Sequence, residues 1–83
     1  MKVFRVTVRQ ELYCYPDNRG DYILKLQPGD IILCDETSQC TFTEVNDNFS
    51  GPDVLKSWIA IFEGRVGWIS SWESKPEGID EIP

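Results

Sequence analysis

Chemistry in this chain has to come from a few side chains: the three cysteines Cys14, Cys34 and Cys40, the adjacent serines Ser70 and Ser71, and the aromatic and acidic residues around them. There is no histidine, so the commonest general base and metal ligand is missing. A serine becomes a nucleophile only beside a base that takes its proton, and Ser70 and Ser71 have none nearby in sequence. The cysteines show no Cys-x-x-Cys spacing, which argues against a zinc knuckle or a redox pair. Gly64 and Gly67 lie in a strand–turn–strand pattern with no helix after it, unlike a phosphate-binding loop. The expectation is a protein that is not an enzyme and carries no metal or cofactor.

Binding chemistry remains. Tyr13, Tyr15, Trp58, Trp68 and Trp72 offer large, rigid contact surfaces, and exposed aromatic residues concentrate at interaction sites. Asp17 and Asp21 fall just after the two tyrosines and would favour a basic residue on whatever binds. The same rings suit a second role, packing the core or rim of a small barrel, and for Tyr13 and Trp58 the two roles stand level. For Trp68 and Trp72 the short polar stretch that follows offers little cover, which favours binding.

Those residues must be held by a fold that 83 residues can build, which is one small domain. Fourteen acidic residues against eight basic ones give a formal charge of −6, a field that repels phosphate backbones and anionic lipid. Nucleic acid and membrane insertion are therefore not expected. Apolar and polar residues alternate near the N-terminus, unlike the continuous apolar run of a signal peptide, and three cysteines are a sparse, odd set for a secreted scaffold. A cytoplasmic location is the expectation, with Cys14 and Cys34 buried in strands and Cys40 more exposed.

Val3 to Val8 alternates as a half-buried strand, with Phe4, Val6 and Val8 on its apolar face. Leu12 to Tyr15 is a second apolar piece, ended by the loop Pro16-Asp17-Asn18-Arg19-Gly20-Asp21. Tyr22 to Leu26 resumes strand character, Pro28-Gly29-Asp30 makes a tight reversal, and Ile31 to Cys34 reads as a strand covered on both faces. Residues 35–56 read as a long excursion that includes an extra strand at 41–45, turn residues at 46–53, and a formal glycosylation acceptor at Asn48-Phe49-Ser50. Trp58 to Phe62 and Val66 to Ile69 form a hairpin about Glu63-Gly64-Arg65, with Gly67 marking a bulge or a close backbone approach. From residue 75 to 83 the chain reads as an acidic flexible tail or linker. No stretch keeps a helical period, so five short strands give an all-β barrel over residues 1–74, with the long insertion before its last hairpin.

In order and spacing, three segments resemble the SH3 family over roughly residues 4–74. Glu11-Leu12-Tyr13-Cys14-Tyr15 is similar to the Ala-Leu-Tyr-Asp-Tyr motif; Leu24 to Ile32 is similar to Leu-x-Phe-x-x-Gly-Asp-x-Ile; Gly64 to Ser71 resembles the last hairpin and its exit. Gly67-Trp68-Ile69-Ser70-Ser71 also resembles the Gly-Trp-Val-Ser-Ser of bacterial SH3-like domains. The resemblance implies a five-stranded barrel whose aromatic shelf, here Tyr13, Tyr15, Trp58, Trp68, Ser70 and Trp72 with Asp17 and Asp21, holds a peptide or protein surface. That partner would be proline-rich or basic, and the module one part of a larger protein or complex. The bacterial branch implies the alternative of cell-wall peptide binding or a structural appendage. The chain departs from the family pattern in four places: Ser57 stands at the first, ligand-contacting tryptophan, Ser70 at the pocket proline, Glu73 at the final tyrosine with Trp72 one residue early, and Ile23 at an acid position.

Overall fold

The computed structural model describes residues 1–17, 20–44 and 53–83. All seven elements are strands: β1 (Lys2–Val6), β2 (Gln10–Tyr13), β3 (Tyr22–Leu26), β4 (Ile31–Glu44), β5 (Asp53–Phe62), β6 (Arg65–Ser71) and β7 (Ile79–Glu81). They form one antiparallel sheet in the order β3-β2-β6-β5-β4-β1-β7, curled into a half-barrel. Among the described residues there is no helix, and so none long and apolar enough to cross a membrane.

The core lies in the concavity and takes alternate residues from every strand: Phe4 and Val6, Leu12, Leu26, Ile32 and Cys34, Trp58 and Ala60, Ile69, and Ile79. Two tight turns set the register. Gly29 has φ +97° after Pro28, and the Asp30 amide closes the turn on the Gln27 carbonyl at 3.0 Å, while the Asp30 carboxylate accepts from the Gln27 amide at 2.7 Å. Glu63 and Gly64 both have positive φ (49° and 75°), the two-residue hairpin loop whose twist matches its strands, and Phe62 and Arg65 pair across it.

Gly67 is the close approach that its place in a strand predicts. A β-carbon there would sit 2.6 Å from Leu12 Cγ and 2.8 Å from the Tyr13 carbonyl oxygen, so β2 can cross β6 only over a glycine.

Several expectations change. Among the described residues there are seven strands where the sequence suggests five: the pieces read separately at 3–8, 12–15, 22–26, 31–34, 58–62 and 66–69 each carry a strand, and residues 79–81 of the expected tail add another by pairing with β1 through Phe4↔Glu81, Arg5↔Asp80 and Val6↔Ile79. Ile79 joins the core as a result. In its described residues the expected excursion over 35–56 is mostly ladder: β4 and β5 stay paired from Cys40↔Ser57 out to Glu44↔Asp53. A bulge between Asp35 and Cys40 interrupts them, and Ser38 bridges it by donating to the Asp35 carbonyl (2.7 Å) while accepting from the Ile59 amide (2.8 Å). The turn residues at 46–52 and the acceptor at Asn48 lie outside the described residues. β1 ends at Val6, and Val8 is exposed where the alternation places it inside. Cys14, expected in a buried strand, lies just past β2 and is exposed. β4 is covered on one face only: Ile32 and Cys34 are buried, while Ile31 and Leu33 face solvent.

Candidate functional site

The convex face of the sheet brings the aromatic residues together. Residues opposite one another in antiparallel strands share a face, and the register runs Tyr22↔Tyr13, Tyr13↔Trp68 and Trp68↔Ile59 across β3, β2, β6 and β5. Tyr13, Trp68 and Ile59 are half-buried and Tyr22 is exposed, forming a row that is partly open to solvent. Lys25 on the same face of β3 lies over the Tyr22 ring, 5.5 Å from its centroid. Burial pushes the Tyr13 phenol above its ordinary pKa, with the Glu11 carboxylate adding to the shift.

Trp58 is not part of this row. It pairs with Ile69 on the concave side and is 1% exposed, so it belongs to the core. The two-residue turn explains why: counting back from Phe62↔Arg65 puts Phe62, Ala60 and Trp58 on the inner face and Ile61, Ile59 and Ser57 on the outer one.

Ser57, next to it, is, like Tyr22 and Ile59, absent from the site residues read from sequence. It is fully buried on the outer face, and its hydroxyl donates to the Pro16 carbonyl. The Ser57 and Ser70 hydroxyls are 2.8 Å apart. Each hydroxyl has one proton, and that of Ser57 is committed to Pro16, so Ser70 donates to Ser57. The chain of hydroxyls pins the loop after β2 to the sheet beside the Tyr13–Trp68 pair. Tyr15 and Asp17 flank the pinned Pro16. The Tyr15 ring, 63% exposed, lies against Gly20, where a β-carbon would come within 2.8 Å of it. Asp21 accepts through its carbonyl from the Cys14 amide at 3.4 Å, closing the same loop. Trp72 follows β6 and is 55% exposed beside a turn in which the Glu73 amide donates to the Ser71 hydroxyl at 3.0 Å. Of the eight residues read from sequence, Tyr13, Trp68 and Ser70 are thus neighbours on one face, Tyr15 and Asp17 are tied to them through Pro16, Asp21 and Trp72 stand at the margin, and Trp58 is inside.

The segment expected to be a tail shapes two clefts. One of about 390 Å³ is floored by Phe4, Trp58 and Ile79 and rimmed by Glu36, Asp80 and Glu81. The other, about 580 Å³, opens between Val8, Gln10 and Ser70. Lys75, Pro76 and Ile79 line both. Gln10 holds this segment by donating from Nε2 to the carbonyls of Glu77 (3.2 Å) and Gly78 (3.3 Å), and Gly78 takes φ +71° to present its own carbonyl to the amides of Thr7 and Val8. Among the described residues, no group of three or more His, Cys, Asp or Glu side chains could hold a metal ion.

No local signal in the sequence marks Tyr22, and Ser57 is marked only by standing where the resembled family has its ligand-contacting tryptophan. Tyr22 joins the row only through a bulge between Leu12 and Tyr13 that shifts the register, and a serine in a strand reads as a solvated position. Compared with family models, with curated proteins and with solved structures, the chain finds no match.

Proposed function

We propose that this chain is a non-catalytic SH3-like interaction module that binds a peptide or protein surface along the Tyr22–Tyr13–Trp68–Ile59 row. The registered row is the observation that carries the reading: aromatic rings from three neighbouring strands on one exposed face form a shelf that a globular core does not need. Asp17 and Asp21 on the adjoining loop favour a basic residue in the partner, as does the net charge of −6. The reading is supported by strand order too, since a loop-bearing hairpin (β2–β3), a long hairpin (β4–β5), a tight hairpin (β5–β6) and a last short strand on β1 follow the sequence of an SH3 barrel.

Ser57 and Ser70 favour an unusual specificity. Where the family has a tryptophan and a proline to clasp a proline-rich helix, this chain has two hydroxyls holding its own Pro16. That arrangement fits the alternative of a bacterial SH3-like domain better than a standard proline-rich reader. Titration of the isotope-labelled chain with proline-rich peptides, basic peptides and cell-wall muropeptides tests both readings. Amide shifts confined to Tyr13, Tyr15, Tyr22 and Trp68 with one ligand class identify the partner. Failure of all three classes to move those residues at millimolar concentration refutes the shelf as a binding site.

A further inference from the structure

The core contains one donor with no acceptor. Among the described residues the Trp58 indole N–H has no hydrogen-bond partner, although Trp58 is only 1% exposed. In the same residues no buried side-chain nitrogen or oxygen is both unpartnered and shut off from solvent, so the trace of exposure on Trp58 falls at its N–H. Trp58 lines the cleft of about 390 Å³ together with Phe4 and Ile79, and takes no part in the neighbouring one, so the N–H opens into that cleft. An indole nitrogen can only donate, and left unpaired at the bottom of an apolar cleft it lacks a hydrogen bond that an acceptor atom there would supply. The mouth of the cleft asks for the opposite charge. Glu36 of β4 and Asp80 and Glu81 of β7 rim it with Lys75, three carboxylates against one ammonium. Lys2 reaches over from β1 to Glu36 (4.0 Å) and Glu81 (3.6 Å) with most of its side chain in solvent. Ion pairs this long and exposed contribute little, so another ammonium can take the place of Lys2 at small cost.

We propose that this cleft binds an α-amino amide, the chemistry found at the free N-terminus of a peptide. The carbonyl oxygen of the ligand accepts from the Trp58 N–H, its apolar side chain lies against Phe4 and Ile79, and its ammonium replaces that of Lys2 between Glu36 and Glu81. Each part of the cleft removes a simpler candidate. A neutral amide leaves the carboxylates unused, an amine without a carbonyl leaves the indole N–H unpaired, and a free carboxylate is repelled at the rim and by the net charge of −6. An apolar floor with a few convergent polar groups is the usual composition of a small-ligand site, and about 390 Å³ lies within the usual size range. For a ligand of about nine non-hydrogen atoms the expected Kd is on the order of 1 mM. The cleft opens on the concave side of the sheet, with Trp58, whereas the aromatic row occupies the convex face, so the two sites are separate.

The three tryptophans give three indole N–H signals in the isotope-labelled chain, and Trp68→Phe and Trp72→Phe assign the Trp58 signal by elimination without disturbing the core. Leucinamide, as the probe, should shift that signal saturably. N-acetyl-leucinamide, which lacks the cation, and isoamylamine, which lacks the carbonyl, should each bind about fivefold more weakly. Lys2→Ala removes the competing ammonium and should tighten leucinamide binding about threefold, while Glu81→Gln should weaken it by a similar factor. Both substitutions are at exposed positions and leave the core intact. Leu-Gly-Gly-amide separates the two sources of this chemistry: binding as strong as that of leucinamide supports a peptide end, and loss of binding supports a free amino amide. A Trp58 signal unmoved by leucinamide at about 20 mM overturns the proposal. So do equal responses to leucinamide and to both truncated probes, or affinities that ignore Lys2→Ala and Glu81→Gln. A shift at Trp68 or Trp72 alone places the amide on the outer face and overturns it as well.

Discussion

Replacing Ser57 with alanine tests the pinned loop directly. The hydroxyl donates to the Pro16 carbonyl and accepts from Ser70, in a residue with no exposed surface. Two hydrogen bonds at about 1 kcal/mol each, with a partly buried carbonyl left unpaired, make the loss about 2 kcal/mol. A domain of 60–100 residues shifts its Tm by roughly 4–8 °C per kcal/mol, so Ser57→Ala should lower Tm by about 8–16 °C. Ser70→Ala removes only the donor to Ser57 and should cost about half as much. The double variant should be less destabilised than the sum of the two singles, since their shared bond can be lost only once. Thermal unfolding followed by circular dichroism gives the three values. Hydrogen exchange at the amides of Tyr15 and Asp17 should accelerate in Ser57→Ala well below Tm, while exchange in the Phe4 and Ile69 strands should hold. The reasoning is refuted if Ser57→Ala shifts Tm by less than about 3 °C, or if the two single effects simply add.

Three further outcomes follow from the positions of individual side chains. Trp58→Ala should cost about 3–5 kcal/mol by emptying the core, while Trp72→Ala should stay within about 0.5 kcal/mol; acrylamide quenching of Trp72→Phe and Trp58→Phe should show Trp72 as the accessible fluorophore. A thiol reagent at pH 8 should modify exposed Cys14 first and half-buried Cys40 more slowly. It should leave Cys34 untouched until unfolding, because burial first, and the Glu36 and Asp35 carboxylates second, push that thiol up to about 12. The Asp35 carboxyl is held below its usual pKa by hydrogen bonds from the Thr37 hydroxyl (2.6 Å) and amide (3.0 Å). A depressed folded value means a contribution present above the unfolded pKa of about 4 and lost as pH falls through the folded one; Asp35→Asn should flatten the acid limb of a stability–pH profile.

How much of this was legible in the sequence depended on how local each determinant is. The turns at Pro28-Gly29 and Glu63-Gly64 and the close approach at Gly67 could be read, because each is fixed by residues whose backbone freedom or missing β-carbon is itself the cause. β7 could not: three residues, Ile79 to Glu81, carry no periodicity, and only the open edge of β1 makes them a strand. Nor could the face of Trp58, since a one-residue slip inverts it and the parity comes from a turn that must be known to hold two residues. The serines show the limit most sharply. Ser57 and Ser70 look like two separate departures from an aromatic pocket, yet the β5–β6 register pairs them and places Pro16 over one of them. On the SH3-like reading proposed above, they amount to one substitution, a clasp for an external proline exchanged for a clasp on the chain's own loop. Such an exchange leaves Tyr13, Trp68 and Tyr22 as the open rings, so a partner is expected to run along the row from β3 to β5, across the strands, with its basic residue toward the loop that carries Asp17.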